Sequence, residues 1–490
     1  MNISTEAKLA KKNPMYYIHS AIGLLIVVAF FFMEPIKPIT PIGMKVLGIF
    51  ISMIYLWSFV ELLWPSLMGI LMLGLSGYAP MPKVLSKAFG DVVPILVLFA
   101  MILFGAIQHH GIARYISRWF LTRKIINGRP NVFNFVFLFA TYVLAALSAN
   151  ILPALLFMWS ILYSVLEEVG YKKGDRYTAV MVIGTMIAAT AGQAAKPFTG
   201  SALMIVAAFE KVSKTQMDYF PYMLYGVIVA SCTVLIYTLL IRFAFRPDMS
   251  RIADINIGRF NREKLPPMTL QQKVYFAALF GYLTLVLLPS LLPKTIPFIG
   301  LLNRLGAWGI VIGFVVLLCL FKIDGKPIMN FKEIASKYVI WDVYFLVAMA
   351  IVVSDALTEN STGIKPFLTE TLKPLMGNRS PYELTFIFTL VGMLITQFAN
   401  NGVMGVLFMP IMQAFALENG SNPMAIATII IFSLHIAILT PAASPYSAIL
   451  YANKDWVSPK EVIQYSSTFF ACMVVFYLVA GIPLLNVIFR

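Results

Sequence analysis

Charge is scarce in this chain. Only 12% of its 490 residues are charged, whereas 60% are hydrophobic and the mean hydropathy is +0.83. A soluble domain carries about 25% charged residues. One soluble core cannot hide this much apolar surface, so the surplus is expected to face lipid. Cysteine is equally sparse: Cys232, Cys319 and Cys472 lie far apart inside apolar stretches. They read as small apolar fillers, which excludes a disulfide framework or a thiolate metal site. The four histidines lack metal-ligand spacing. There is no nucleophile–histidine pairing and no phosphate loop, so neither an enzyme nor a bound metal or cofactor is expected. Paired acidic residues inside apolar runs are also missing, which argues against a cation/proton exchanger.

The formal net charge is +15. No basic repeat with interleaved aromatics accompanies it, and nucleic acid is not an expected partner. The basic residues occupy short loops, where they orient a membrane protein with its positive loops inside. The first fourteen residues are polar, and the apolar run after them leads into Met33-Glu34-Pro35, not a small-residue cleavage site, so no cleavable signal peptide is expected.

What the chain does have is long apolar runs and an internal repeat. Runs at 20–33, 224–241, 274–292, 305–321 and 468–489 approach the ~20 residues that cross a bilayer. Asp91 opens DVVPILVLFAMILFGAIQHHGI, and Asp342 opens DVYFLVAMAIVVSDALTENSTGI. Each is followed 59 residues later by an asparagine that interrupts an apolar stretch: Asn150 in LSANIL and Asn401 in FANNGV, an offset of 251 in both cases. Further on, AAKPFTGSA and AASPYSAIL place Pro197 and Pro445 248 residues apart. The apolar arms around each asparagine (132–147 and 152–166; 384–398 and 403–417) are about sixteen residues long. Such an arm rises ~24 Å as a helix, less than a ~30 Å hydrocarbon core. Two re-entrant hairpins, 132–166 and 384–417, are therefore expected.

Loop charges set the orientation. Arg123, Lys124 and Arg129 precede the first hairpin and Lys172, Lys173 and Arg176 follow it; the second has only Lys373 and Arg379 before it and Glu418 after it. The first hairpin is expected to enter from the cytoplasm, the second from outside, with the N-terminal tail (Lys8, Lys11, Lys12) cytoplasmic. The expected fold is an all-α polytopic membrane protein of about 11 transmembrane helices plus two re-entrant hairpins in two inverted repeats. The segments are 1–40, a tail and first transmembrane helix; 41–245, the first repeat; 246–272, a cytoplasmic linker; and 273–490, the second repeat. The linker carries Arg246, Arg251, Arg259, Arg262 and Lys264 against Asp248, Asp254 and Glu263. It reads as a connector, with an interfacial helix as the alternative.

An inverted-repeat carrier binds its cargo near the midplane, where broken helices present N–H groups to anions and free carbonyls to cations. Four breaks are available: 148–151, 192–200, 399–402 and 441–447. Asparagine both donates and accepts there without a charge to desolvate. Gly192, Gly200 and Gly402 admit close backbone approach, and Pro197, Pro441 and Pro445 interrupt helices.

On these landmarks the chain resembles the divalent-anion/sodium symporter family of the ion-transporter superfamily, which carries dicarboxylates, citrate or sulfate. The resemblance covers about 40–488 and is strongest in LTPAASPYSAILYAN at 439–453. It implies an elevator-type homodimer in the plasma membrane that moves a small organic anion, with sodium as the candidate coupling ion. The substrate set would be Asn150, Ile151, Lys196, Pro197, Thr199, Asn400, Asn401, Gly402, Ser444, Pro445 and Ser447. The cation set, if retained, would be Ser148, Ala149, Asn150, Gly192, Ala399, Asn401 and Ala443. The family has Ser-Asn-Thr at each hairpin tip and a Thr-Pro-Pro-Asn-like motif in each later loop. This chain has Ala149-Asn150-Ile151 and Asn400-Asn401-Gly402 at the tips, with Lys196-Pro197-Phe198-Thr199 and Ser444-Pro445-Tyr446-Ser447 in the loops.

Lys196 is the sharpest departure. A lysine at membrane depth costs about 2.5–3.5 kcal/mol on insertion scales. It either replaces a bound cation or pairs with the anion; snorkelling to the interface is the bland alternative. His435 is a second ionisable candidate, as a proton carrier or a packed histidine. Asp355 is expected near an interface, and Asp91 and Asp342 as helix N-caps. An inorganic oxyanion or a neutral or zwitterionic metabolite is the alternative cargo, and a channel the alternative class.

Overall fold

The computed structural model describes residues 14–112, 128–148, 151–172, 174–253, 267–292, 295–364, 366–367, 370–371, 379–398, 401–441 and 443–489. Most of them are helical, with one two-residue antiparallel β ladder pairing Lys322–Ile323 with Lys326–Pro327. Among the described residues, eight helices are long and apolar enough to cross a membrane. Shorter apolar helices such as Leu63–Leu75, Pro381–Ile395 and Pro423–Leu434 accompany them. The chain is an all-α, multi-pass membrane protein.

Two units are distinguished by their internal packing. One comprises Met1–Gly90 and Trp341–Pro374; the other comprises Asp91–Ile340 and Leu375–Arg490. The first unit holds α1 (Pro14–Phe32), α2 (Pro41–Phe59), α3 (Leu63–Leu75) and α4 (Met81–Phe89). A later helix, Trp341–Thr358, joins them. Gly23 of α1 faces Leu56 of α2, and Gly69 of α3 faces the thioethers of Met53 and Met349. Small residues at these crossings let helices approach without a hydrophobic driving force in lipid. Asp355 lies 3.6 Å from Lys87 Nζ, which also donates to the Tyr78 hydroxyl at 2.9 Å.

The second unit contains both sets of broken helices. Its first part runs α5 (Val92–His109), α6 (Pro130–Leu147), α7 (Ile151–Glu168), α8 (Arg176–Ala194), α9 (Gly200–Ser213) and α10 (Tyr219–Leu240). Then come α11 (Leu270–Leu291), α12 (Pro297–Leu320) and α13 (Phe331–Tyr338). With Trp341–Thr358 as α14, the remainder is α15 (Pro381–Ile395), α16 (Asn401–Glu418), α17 (Pro423–Leu434), α18 (Pro445–Ala452), α19 (Pro459–Phe476) and α20 (Ile482–Ile488). The asparagine-interrupted stretches are thus helix pairs, α6–α7 and α15–α16, and each pair is followed by a helix broken near a proline.

Local chemistry explains the boundaries. Ser380 and Glu383 form a reciprocal capping box at the start of α15, with Pro381 as first helical residue, and Ser458 and Glu461 do the same at α19. Asp342 sits inside the first turn of α14, two residues beyond the cap position, because Trp341 already begins the helix. Asp91 precedes α5 and its carboxylate takes Lys211 Nζ at 2.6 Å, so the expected cap is also an ion-pair partner. The start of the linker is tied to the 170–175 loop. The Tyr171 hydroxyl donates to Asp248 O at 2.8 Å and Arg251 Nη1 to Gly170 O at 2.6 Å. Residues 250–253 form one helical turn, while 254–266, where an interfacial helix was the alternative, lie outside the described residues.

Candidate functional site

The hub of the second unit is α8. It is buried along nearly its whole length, and the Ala, Gly and Thr residues of its second half, 184–194, let neighbouring helices approach closely. A Cβ at Gly192 would lie 2.4 Å from Tyr142 O and 2.9 Å from Ala146 N, so the backbone of α8 rests directly on α6. The helix stops at Ala194. Lys196 precedes a proline and is steered away from helical backbone, and Gly200 restarts the chain as α9 with φ +63°.

This break delivers Lys196 to the end of the first hairpin arm. Its side chain is buried, at 5% exposure. Nζ donates to the carbonyls of Ser148 and, at 3.4 Å, Ala145, and lies 5.6 Å from the centroid of the Phe104 ring. Ala145 belongs to the last turn of α6 and Ser148 follows that helix. Both carbonyls lie at a helix C-terminus, where the partial negative charge of the helix collects, and Ala145 O also accepts from Ser148 N at 3.2 Å. The lysine does not reach for an interface; snorkelling is excluded by its burial. Ser148, a candidate cation ligand, offers its carbonyl to the ammonium, while its hydroxyl donates back to Leu144 O at 2.7 Å.

Thr199 occupies the N-cap position of α9 but makes no cap bond, and its buried hydroxyl has no partner among the described residues. Gln193, also buried, meets Tyr446, and its Oε1 has no partner among the described residues. A Cβ at Gly200 would lie 2.5 Å from Gln193 Nε2. Gln193, Thr199 and Gly200 therefore gather beside the α18 N-terminus, with Pro197 in the loop between them.

The second half is stitched differently. After α17 the chain is non-helical at 435–441 and again at 443–444, where α18 is capped. Ser444 caps α18 by accepting from Ser447 N at 3.1 Å, and the Ser447 hydroxyl donates to Thr440 O at 2.7 Å. Both serines, expected as substrate contacts, thus also hold their own loop in shape. Pro445 is the first residue of α18 and is exposed; Ala443 is buried. Asn401 opens α16, buried, with its Oδ1 accepting from Gly402 N at 2.9 Å. Ile151 opens α7 and is also buried. Ala149, Asn150, Ala399 and Asn400 lie outside the described residues.

Two residues that sequence reasoning passed over are prominent. Gln193 is one; the other is Gln397, buried in the turn after α15, with all its amide chemistry directed at backbone. Neither carries a charge, and each looks like an ordinary helix-end glutamine. The clue available was position: Gln193 lies three residues before Lys196, and Gln397 four before Asn401.

His435 is a bridging residue. Nδ1 donates to Ile431 O at 2.7 Å, which leaves Nε2 to accept from the Ser201 hydroxyl at 2.8 Å. The neutral ring satisfies both bonds and joins the end of α17 to the start of α9. A cavity of about 20 Å³ lies beside it, lined by Thr190, Thr233 and Tyr477 among others. That is room for about one water molecule. No group of three or more His, Cys, Asp or Glu residues able to hold a metal occurs among the described residues.

Comparison with known proteins adds the family context. A family model described as citrate transporter matches residues 53–378. Human solute carrier family 13 member 1 is 28% identical over 129 residues, 26% of this chain and 21% of that protein. The sodium-dependent high-affinity dicarboxylate transporter 2 of Caenorhabditis elegans is 23% identical over 128 residues, 26% of this chain and 23% of that protein. The chain thus aligns with about a fifth of the length of these curated relatives. Among solved structures, the YdaH transporter of Alcanivorax borkumensis superposes with a TM-score of 0.55 at 14% identity, covering 83% of this chain and 88% of that one. This last likeness is one of fold.

Proposed function

Because this chain belongs to the citrate transporter family, we propose that it carries a small dicarboxylate- or citrate-like anion by elevator-type alternating access, with Lys196 standing in for a bound cation. One observation carries the second part: the Lys196 ammonium on the carbonyls of Ala145 and Ser148. Carbonyls at the end of a broken helix are what a carrier of this design offers to a coupling cation. Two of the three ammonium donors are used on the hairpin, which favours the tethered-cation role over direct pairing with the anion. Transport would then proceed without sodium.

The anion would meet the N-terminal ends of α7, α9, α16 and α18, where N–H groups and the positive end of the helix dipole favour negative charge. Thr199 and Gln193 add a hydroxyl and a carbonyl oxygen not yet engaged. Orientation with the basic loops cytoplasmic is supported by the clustering of Arg251 with the Asp175-containing loop that also bears Lys172 and Arg176. Dimer formation and a plasma-membrane location belong to the same reading.

Counterflow in proteoliposomes tests it. Labelled citrate, succinate and sulfate are presented to vesicles preloaded with the unlabelled anion, in sodium or choline buffer. Saturable counterflow of one carboxylate at equal initial rates in both buffers is the expected result. Unitary currents without counterflow would make the protein a channel, and a strict sodium requirement would remove the tethered-cation role.

A further inference from the structure

The proposed role of Lys196 concerns only the first half and leaves open what the equivalent position of the second half holds. We propose that Gln397 closes the second hairpin as Lys196 closes the first, so that neither hairpin takes a coupling ion from solution. The proposal rests on the carrier reading above and extends it to the other repeat.

The geometry is specific. Gln397 Nε2 donates to Met393 O at 2.7 Å, in the last turn of α15, and to Ile436 O at 2.5 Å, in the unwound loop after α17. Its Oε1 accepts from Ile438 N at 3.1 Å and Leu439 N at 2.9 Å. Four bonds fix which end of the amide is nitrogen, since carbonyls can only accept and amides can only donate. The N–H₂ group thus lies between a carbonyl of the hairpin and a carbonyl of the broken helix. Two carbonyls from these two elements are the ligands that an unwound carrier helix and a half-helix end supply to a cation. Neighbouring bonds tighten the same seam: the Thr396 hydroxyl donates to Leu434 O at 2.9 Å, and the Thr440 hydroxyl donates to Gln397 O.

The two halves solve the problem in opposite ways. In the first, the loop reaches to the hairpin through Lys196; in the second, the hairpin reaches to the loop through Gln397. At the repeat offset of 251, Ala146 is the counterpart of Gln397, and at the loop offset of 248, Ser444 is the counterpart of Lys196. Each half therefore carries one long donor side chain where the other half has a small residue. One donor per half is what filling each seam once requires.

The test is the isosteric substitution Gln397→Glu. One carboxylate oxygen keeps the amides of Ile438 and Leu439, and the other is then aimed at Met393 O and Ile436 O. Acceptors cannot meet at that distance without a proton or a cation between them. Uptake by Gln397→Glu in choline buffer at neutral pH is expected to fall at least about tenfold and to return on adding sodium or lowering the pH. Wild-type uptake is expected to be indifferent to sodium. Full activity of the variant in choline, or a loss that neither sodium nor acid restores, would overturn the proposal. Melting of the purified full-length protein gives a readout independent of transport. Sodium in place of choline should raise the midpoint of Gln397→Glu by about 3 °C, through binding to the folded state alone, and leave the wild type unmoved. Should the variant not fold, the wild type decides: a sodium-specific rise in its midpoint would overturn the proposal, and its absence would support it. If no carboxylate in the panel is carried, the transport reading fails while the melting comparison still judges Gln397.

Discussion

Lys196→Ala is expected to reduce sodium-free uptake at least about tenfold. Removing the ammonium takes its donor from the buried Ser148 carbonyl, while Ala145 O keeps its bond from Ser148 N at 3.2 Å. A buried acceptor stripped of its partner costs ~1–3 kcal/mol, and each ~1.4 kcal/mol is a factor of ten in rate. The space vacated by the side chain lies between those carbonyls and the Phe104 ring, 5.6 Å from the ammonium in the wild type, a setting that suits a small cation. Addition of sodium or methylammonium should therefore restore part of the uptake. Lys196→Met fills the space with an apolar chain and should lose activity without such rescue. The measurement is initial-rate uptake into proteoliposomes, with both variants assayed in sodium, methylammonium and choline. Wild-type rates for Lys196→Ala in choline would remove the lysine from the mechanism.

Gly192→Ala is the second large effect. The added methyl would stand 2.4 Å from Tyr142 O and 2.9 Å from Ala146 N, both backbone atoms that cannot swing aside. Overpacking of this kind costs ~1–3 kcal/mol, more than the ~1 kcal/mol that replacing glycine in a helix returns. The displacement falls on the last turns of α6, which carry the Ala145 carbonyl, so the Lys196 contact should be lost as well. Uptake is expected to drop at least about tenfold with a melting midpoint on the order of 3 °C lower. Gly313→Ala is the internal control, since a Cβ there meets nothing within 4 Å. It should leave uptake unchanged and stability equal or slightly higher. Equal behaviour of the two variants would show that the close approach of α8 to α6 has no functional weight.

Much of the architecture is visible in the one-dimensional pattern. Asp91 and Asp342 fall at or near helix starts, Asn401 opens α16, and Pro197 and Pro445 fall at helix breaks, because prolines and polar residues inside apolar runs leave few backbone solutions in a membrane; Asn150 lies outside the described residues. Lys196 stood out for the same reason: an ammonium in an apolar run needs a partner. Its partner was not legible, since the receiving groups are backbone carbonyls, which every residue has. Gln397 was hidden twice over, as an uncharged side chain whose partners are also backbone. Ser444 and Ser447 show the opposite limit. Their hydroxyls looked available to a substrate, yet they are engaged with the loop's own peptide groups, a local option of serine that sequence cannot distinguish from a ligand contact.

The contact of Lys196 with the end of α6 also has an electrical consequence. Sodium would leave a carrier with its cargo; a side chain cannot. In a carrier whose hairpins travel with the substrate, the positive charge makes the return stroke as well. A divalent anion then crosses as a complex bearing one net negative charge at this site, and the empty carrier goes back bearing one positive charge. Voltage acts on both strokes, by ~2.3 kcal/mol for each elementary charge per 100 mV. An interior-negative potential would draw the empty site inward and push the loaded one outward, so the membrane voltage itself would favour export.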